Sequence, residues 1–241
     1  MTRGFIDLHC HFVPGIDDGA RDVEEGIAIL RALGALGFER VIATPHMRPG
    51  LFDNTRADLE RAYASLAPEL AGRALPQTAL SSEHYFDDVV YERLLSDAAL
   101  PYPGGRAALL EFYEIDFPPM IDRCFAELRR RGILPVIAHP ERYRCSWKSL
   151  DALERLVDAG AATLLDTAAL TGKYGRVPQR TAELILEQGL YHAACSDAHR
   201  PRDVAEVARG IERIQQLYGD DEVELLFIDG PRALLDGKLP D

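Results

Sequence analysis

The sequence lacks the features that mark membrane-spanning or disulfide-rich proteins. No run of about 18 apolar residues occurs in its 241 residues, and the opening residues, MTRGFIDLHCHF, contain no apolar signal region. Its four cysteines include no CxxC pair and are too scattered for a disulfide framework. These absences argue against a membrane-inserted or secreted protein. We therefore expect a soluble cytoplasmic protein.

Basic residues are also scarce. Lysine and arginine number 27 against 39 aspartates and glutamates, which gives a formal net charge of −12. Nucleic-acid backbones are held chiefly by lysine and arginine, so this balance argues against nucleic acid as the main partner. A phosphorylated substrate would need positive charge concentrated at one place, and bound metal ions would supply it.

What the sequence does contain is an alternation of short β-like runs and amphipathic segments. The predicted strands are Phe5–Leu8, Arg40–Thr44, Thr78–Ser82, Ala107–Leu110, Leu134–Ala138, Ala162–Leu165 and Tyr191–Cys195. The predicted helices are Asp22–Leu36, Arg56–Leu70, Pro119–Arg131, Ser149–Gly160, Pro178–Gly189 and Asp203–Tyr218. Repeated βα units indicate a parallel sheet with helices outside it. We predict one α/β domain over residues 1–241, a distorted (β/α)7 TIM-like barrel, with an open doubly wound sheet as the alternative.

Histidines and acidic residues follow almost every predicted strand. In chain order they are His9, His11, Asp17, Asp18, His46, Glu83, Glu111, His139, Asp197 and His199. Only the sixth strand lacks a histidine or glutamate there, since it ends in Asp166. Side chains at the C-terminal ends of barrel strands converge on one mouth. Each residue alone would more often be structural or solvated, but together they predict a metal site.

Two spacings support this prediction. His9 and His11 are two residues apart on an extended strand, so both rings point to one face while Cys10 points to the other. Asp197 and His199 repeat that spacing after the last strand. Imidazole and carboxylate ligands together suit Mn²⁺, Fe²⁺ or Zn²⁺.

Other candidate residues are assigned structural roles. His84 is predicted to face away from the neighbouring ligand, and His192 lies early in its strand, far from the mouth. Cys124 and Arg130 match the C-x5-R spacing of cysteine-based phosphatases, but their segment has no glycine and a helical pattern. The N–H groups of a helix are already used and cannot wrap a phosphate. Cys124 is therefore predicted to be a buried or half-buried helix residue.

Several motifs together resemble a known family. They are DLHCHFVPGIDDG (Asp7–Gly19), ATPH (Ala43–His46), SSEHYF (Ser81–Phe86), LLEF (Leu109–Phe112), VIAHPERY (Val136–Tyr143) and CSDAH (Cys195–His199). The chain is similar to the polymerase and histidinol phosphatase (PHP) superfamily. Within it, IDDG and AHPERY resemble the bacterial manganese-dependent protein tyrosine phosphatases of capsule and exopolysaccharide gene clusters. The likeness runs to LFIDGPRALL (Leu226–Leu235) and so covers nearly the whole chain.

The resemblance implies three divalent metal ions, with Mn²⁺ as the first choice and Fe or Zn as alternatives. The implied ligand sets are His9, His11 and Asp197 with Glu83 bridging; Glu83, Glu111 and His139; and Asp18, His46 and His199. It also implies Arg142, and additionally Arg202, as phosphate-binding residues; a surface salt bridge between Arg142 and Glu141 is the alternative. Two positions depart from the family pattern, because Asp166 and Gly230 stand where asparagine is expected.

The implied activity is hydrolysis of phosphotyrosine by a metal-activated hydroxide. The implied partner is a phosphotyrosyl protein, the tail of a bacterial tyrosine kinase that regulates capsule or exopolysaccharide synthesis. Two alternatives stay open at this point. One is a small-molecule phosphatase such as histidinol-phosphate phosphatase, and the other is a metal-binding module without turnover.

Overall fold

The computed structural model describes residues 3–113 and 115–240. Its strands are β1 (Phe5–Cys10), β2 (Phe38–Ala43), β3 (His46–Met47), β4 (Gln77–Leu80), β5 (Glu83–Tyr85), β6 (Ala107–Glu111), β7 (Leu134–Ala138), β8 (Ala162–Asp166) and β9 (Ala193–Cys195). Its α-helices are α1 (Val23–Leu36), α2 (Arg56–Leu70), α3 (Asp88–Leu95), α4 (Ile121–Arg130), α5 (Asp151–Asp158), α6 (Arg176–Glu187), α7 (Val204–Tyr218), α8 (Asp220–Glu224) and α9 (Gly230–Leu235).

The described strands form two sheets in which every pairing is parallel. One sheet has the order β1-β2-β4 and the other has the order β3-β5-β6-β7-β8-β9. This confirms an α/β fold with parallel strands. The sheets also meet beyond β9, where the His11 N–H donates to the Ala198 carbonyl at 3.0 Å and the Asp197 N–H donates to the His9 carbonyl at 2.9 Å.

Two of the predicted strands are each followed by a short strand that was not predicted. The predicted strand Arg40–Thr44 corresponds to β2, and β3 begins after Thr44 and Pro45. The predicted strand Thr78–Ser82 corresponds to β4, and β5 begins after Ser81 and Ser82. Pro45 has no N–H to donate to a sheet ladder. The Ser82 hydroxyl donates to the Pro45 carbonyl at 2.8 Å, so a side-chain hydrogen bond adds to the backbone bonds across this gap. Each break comes just before a predicted metal ligand, His46 or Glu83.

Local sequence signals explain the ends of the first helix. The Asp22 carboxylate accepts the Glu25 N–H at 2.8 Å, as an N-cap residue does. Gly37 closes the helix with φ 106°, a left-handed conformation that favours glycine, and its N–H donates to the Gly34 carbonyl at 3.1 Å. The short helices α3, α8 and α9 were not predicted, because they carry too few turns for a clear period.

Buried apolar side chains form two clusters. The larger lies between the strands and the helices and includes Leu30, Phe38 and Phe125. The smaller includes Leu8, Ile42, Leu109, Val136 and Leu164, so strands of both sheets contribute to it. Apolar contacts therefore hold both sides of the strands, and the strand ends are fixed in position.

Gly230, one of the departures from the family pattern, has a packing reason. A Cβ atom at this position would lie 1.9 Å from the carbonyl oxygen of His192. Any side chain would require the backbone to move. Among the described helices, none is both long enough and apolar enough to cross a membrane.

Candidate metal centre

The first strand supplies two imidazoles to one end of the sheets. His9 and His11 are both fully buried, and their Nε2 atoms lie 3.1 Å apart. Cys10 points to the opposite side, into the larger apolar cluster. The alternation expected of an extended strand therefore places both rings on one face, as predicted.

Two carboxylates face this histidine pair from distant parts of the chain. Glu83 Oε2 lies 3.2 Å from His9 Nε2 and 3.5 Å from His11 Nε2. Asp197 Oδ1 lies at the same two distances from the same nitrogens. These four atoms face a common point. Ligand atoms that sit about 2.0–2.2 Å from one tetrahedral ion are separated by such distances.

A second group lies nearer the surface. Asp18 Oδ1 is 3.4 Å from His46 Nε2 and 3.4 Å from His199 Nε2. The His199 ring stacks on the His11 ring with centroids 4.0 Å apart. The Asp18 side chain is 58% exposed, whereas the ligands deeper in the site are buried. This group therefore forms the opening of the cluster.

His46 and His139 lie next to the carboxylates of Glu83 and Glu111. His46 Nδ1 lies 2.9 Å from Glu83 Oε2 and 3.7 Å from Glu111 Oε2. His139 Nε2 lies 3.0 Å from Glu83 Oε1. Glu83 thus contacts histidines from three other strand ends, and it occupies the centre of the site.

Four overlapping groups among the described residues have ligand atoms close enough to hold an ion. They are His11, Asp18, His46 and His199; His9, His11 and Glu83; His9, His139 and Asp197; and His46, Glu83 and Glu111. All nine residues predicted from the sequence belong to at least one group. The ligand groups differ in detail from the predicted sets. His139 was predicted to share an ion with Glu83 and Glu111, but it groups with His9 and Asp197. His46 takes its place in the group with Glu83 and Glu111.

Backbone conformation at the site is unusual. His139 and Asp197 have φ of 33° and 43°, left-handed values that are uncommon outside glycine. Such conformations persist only where surrounding structure holds them, and they occur often at functional sites. His139 follows β7 directly and Asp197 follows β9 after Ser196, so both unusual conformations lie at strand ends beside the cluster.

The carboxylates crowded into the cluster favour the binding of cations there. Burial and the neighbouring Glu83 carboxylate raise the pKa of Glu111 to about 7. Burial alone would lower the pKa of His46, but the Glu83 and Asp18 carboxylates outweigh it and raise that pKa to about 10. Among the described residues, the buried atoms Glu111 Oε2 and Asp197 Oδ1 have no hydrogen-bond partner. The donor set of imidazole nitrogens and carboxylate oxygens fits divalent metal ions.

Arg142 lies beside this cluster. Its Nη1 donates to Asp197 Oδ2 at 2.8 Å and is 3.7 Å from Asp166 Oδ2. Its guanidinium lies over the Tyr174 ring, 4.8 Å from the centroid. The alternative of a surface salt bridge with Glu141 is wrong.

Glu141 is fully buried and serves the scaffold instead. Its carboxylate accepts the Tyr191 hydroxyl at 2.8 Å and the Asp166 N–H at 3.1 Å. Burial and the nearby Asp166 carboxylate raise the pKa of Glu141 to about 8. Asp166, the other departure from the family pattern, therefore lies between Glu141 and Arg142.

Arg202 shares a cleft with Arg142. The cleft has a volume of about 340 Å³, and its lining also includes Asp18, Lys173, Tyr174, Asp197, His199, Arg200 and Asp203. Arg202 lies in the 3₁₀ turn Pro201–Asp203. The structure therefore places both predicted phosphate-binding arginines at the mouth, next to the metal-ligand candidates.

The sequence analysis did not assign the supporting roles of several residues at the site. Asp17 Oδ2 is 2.8 Å from His11 Nδ1 and accepts the His46 backbone N–H at 3.0 Å, so it orients the His11 imidazole and holds the backbone of His46. Its position beside Asp18 was the available signal. The Phe52 ring stacks on His46 with centroids 5.2 Å apart. No sequence spacing indicates that contact or the one between Tyr174 and Arg142.

The residues assigned structural roles do lie outside the cluster. His84 is buried between the Leu109 carbonyl, 2.9 Å from Nδ1, and the Leu100 N–H, which donates to Nε2 at 3.2 Å. His192 contacts Thr163 near the start of β9. Cys124 is half-buried on α4, and burial raises the pKa of its thiol. A cysteine nucleophile at this position is therefore not supported by its surroundings.

Comparisons with known proteins identify the family of this chain. The family model for capsular polysaccharide synthesis, CpsB/CapC, matches residues 5–236. The tyrosine-protein phosphatase YwqE of Bacillus subtilis is 32% identical over 198 residues, which cover 80% of this chain and 77% of YwqE. The tyrosine-protein phosphatase CpsB of Streptococcus pneumoniae is 27% identical, with 97% of this chain and 99% of CpsB covered.

A solved structure is also similar. It comes from work on YwqE of Bacillus subtilis and CpsB of Streptococcus pneumoniae, described as metal-dependent tyrosine phosphatases. It matches with a TM-score of 0.88 and 28% identity, over 98% of this chain and 96% of the other. The resemblance noted in the sequence is confirmed: the chain belongs to the CpsB/CapC family.

Proposed function

We propose that this chain is a metal-dependent phosphotyrosine-protein phosphatase. The observation that carries the proposal is the convergence of nine imidazole and carboxylate side chains beside Arg142 at one cleft. Relatives whose matches cover 80% and 97% of the chain are named tyrosine-protein phosphatases. Neither a histidinol-phosphate phosphatase nor a silent metal-binding module is favoured by these relatives.

The proposed cofactor is a set of three divalent ions, with Mn²⁺ first and Fe or Zn as alternatives. Their ligands would be His9, His11, Asp18, His46, Glu83, Glu111, His139, Asp197 and His199. When bound, the ions supply Lewis-acid chemistry to phosphoryl oxygens and to water. The mixed nitrogen and oxygen donors support this set of metals, since soft thiolate ligands are absent from these four groups.

Arg142 and Arg202 would bind the phosphate of the substrate. Arg142 has a planar fork of N–H groups, and Nη1 alone is engaged by Asp197. The remaining N–H groups are available for two phosphate oxygens. Tyr174 and Asp197 hold the guanidinium from its face and its edge, so its orientation is set before substrate binds. Arg202, which lines the same cleft, would contact the phosphate as well.

The proposed substrate is a phosphotyrosyl protein in the cytoplasm, the tail of a bacterial tyrosine kinase that controls capsule or exopolysaccharide synthesis. The capsular polysaccharide description of the family supports this choice. A phenolate leaving group, with a pKa near 10, needs less protonation help than an alkoxide. This suits a site in which we assign no general acid.

We also propose that both sheets belong to one distorted (β/α)7 barrel in a single domain over residues 1–241. Joining β2 with β3 and β4 with β5 reduces the nine strand segments to seven. The parallel bridge between Cys10 and Ala198 links the first strand to the chain beyond β9. The smaller apolar cluster, to which both sheets contribute, supports the same arrangement.

The function is tested by combining metal analysis with phosphatase assays on the purified chain. We expect hydrolysis of a phosphotyrosyl peptide, its loss after thorough chelation, and its recovery with Mn²⁺. A phosphoseryl peptide of the same sequence and histidinol phosphate are the comparison substrates. Activity that survives metal removal contradicts the metal-dependent mechanism, and a large preference for histidinol phosphate contradicts the choice of substrate.

A further inference from the structure

One side of the site carries an arginine stacked on a tyrosine. The Arg48 guanidinium lies over the Tyr85 ring, 4.1 Å from its centroid. Both side chains are partly exposed. Among the described residues, no carboxylate forms an ion pair with Arg48. The exposed parts of this pair are therefore available to a ligand.

Strand register places the pair directly beside the candidate metal ligands. His46 on β3 is the register partner of Glu83 on β5, and Tyr85 is the register partner of Glu111 on β6. Residues two apart on a strand point to the same face. Arg48 and Tyr85 thus follow His46 and Glu83 by one step of two residues, about 6.7 Å further out. Tyr85 is level with Glu111, and the partly exposed Arg48 and Tyr85 border the candidate ligands His46 and Glu83 on the solvent side.

A tight turn holds Arg48 in this position. The Arg48 N–H donates to the Phe52 carbonyl at 3.0 Å and the Phe52 N–H donates back at 2.8 Å. The Phe52 ring stacks on His46 with an interplanar angle of 4°. Asn54 Nδ2 anchors the end of the turn by donating to the His46 carbonyl at 2.8 Å. The turn is therefore fixed to the candidate ligand His46, and Phe52 lies on the same side of the site as Arg48 and Tyr85.

We propose that Arg48, Phe52 and Tyr85 form a wall that binds the aromatic ring of the phosphotyrosyl side chain. This inference rests on the proposed function. With the phosphate at the candidate metal ligands, the ring of the tyrosyl group must lie in the next layer outward. Planar guanidinium and phenyl groups stack well on an aromatic ring. An alkyl phosphate such as phosphoserine has no ring to reach this layer, so the wall selects aryl over alkyl phosphomonoesters.

The test compares how variants bind two competitive inhibitors. A peptide with non-hydrolysable phosphonomethyl-phenylalanine carries the ring, and inorganic phosphate does not. For Arg48→Gln and Tyr85→Leu we expect the inhibition constant of the peptide to rise about tenfold. The constant for phosphate should rise much less. Tyr85→Phe keeps the ring and should resemble the native chain.

Arg31→Gln is the matched control, because it removes the same charge near the opposite, N-terminal ends of the strands. Metal content and thermal unfolding establish that each variant is folded and loaded, and Arg48→Lys provides a milder change at the same position. Equal weakening of peptide and phosphate would overturn the proposal, because Arg48 would then act on the phosphate. No weakening of either would overturn it as well. Failure of the proposed function would appear separately, as a native chain that does not hydrolyse phosphotyrosine.

Discussion

The seven histidines of this chain occupy two kinds of environment. Five lie in the cluster at the strand ends, where carboxylates surround their ring nitrogens: His9, His11, His46, His139 and His199. The other two, His84 and His192, are surrounded mainly by backbone groups and have the pKa lowered to about 4 by burial. His9 and His11 in the cluster and His84 outside it are all fully buried, so burial alone does not distinguish the two kinds of histidine.

What separates them is the charge of their partners. His84 is satisfied as a neutral ring, because Nδ1–H can donate to a carbonyl while Nε2 accepts an N–H. In the cluster, His9 and His11 face each other and two carboxylates instead. A cation shared among these atoms would relieve the repulsion between the carboxylates. His84, whose two ring nitrogens are both hydrogen-bonded to backbone groups, supports the scaffold. His9 and His11, whose Nε2 atoms face each other and carboxylates, mark the candidate metal site.

The largest expected effect comes from exchanging a histidine of the cluster. His11→Gln should lower both the bound metal and the hydrolysis of an aryl phosphate, the latter by at least about 100-fold, because His11 lies between two candidate ion positions. Elemental analysis and initial rates measure both. His192→Gln is the control, with metal content expected to stay at the native value. A loaded, active His11→Gln protein would remove the distinction between the two kinds of histidine.

A smaller loss is expected when Arg142 is replaced by lysine. Arg142→Lys keeps the charge beside Asp197 but loses the planar fork, so kcat/KM for a phosphotyrosyl peptide should fall by about 10- to 100-fold. Metal content should change little. Arg155→Lys, in an exposed ion pair with Asp122, is the matched control. Equal rates for native and Arg142→Lys proteins would contradict a role for the fork.

Asp17 tests whether orientation of a cluster histidine matters. Asp17→Asn weakens the partner of His11 Nδ1 without removing a candidate ligand, and metal affinity should fall by about 10-fold. Titration of the metal-free chain with Mn²⁺ measures this. Asp22→Asn exchanges the same groups at the N-cap of α1 and should leave affinity unchanged. Similar affinities for the two variants would contradict the supporting role of Asp17.

The smallest effect concerns stability and the histidines outside the cluster. The pKa of His192 is about 4 in the folded chain against 6.5 for an ordinary histidine. Between these values the unfolded chain binds more protons, so the free energy of unfolding falls as pH drops from 6.5 towards 4. His192→Gln should weaken that dependence. Urea unfolding of the metal-free chain at about pH 7.5 and about pH 5 measures it, and identical pH dependence in both proteins would be the contrary result.

Much of the site could be predicted because strand ends are visible in the sequence. Apolar runs predicted where each strand stops, and His46, Glu83 and Glu111 follow such runs directly. The metal-site prediction therefore needed only the rule that parallel strands end together. The supporting contacts of Tyr174 and Phe52 could not be predicted, because both residues lie in loops whose paths have no periodic signal.

The sequence by itself determined which residues meet at one end of the fold, since local patterns indicate the strand positions, their parallel direction and the alternation of side chains. Only the tertiary structure decided how they meet. It grouped His139 with His9 and Asp197, buried Glu141 away from Arg142, and placed Arg48 on Tyr85. Such pairings depend on side-chain directions and on breaks within strands. A shift of one residue in strand register would turn each side chain to the opposite face of the sheet.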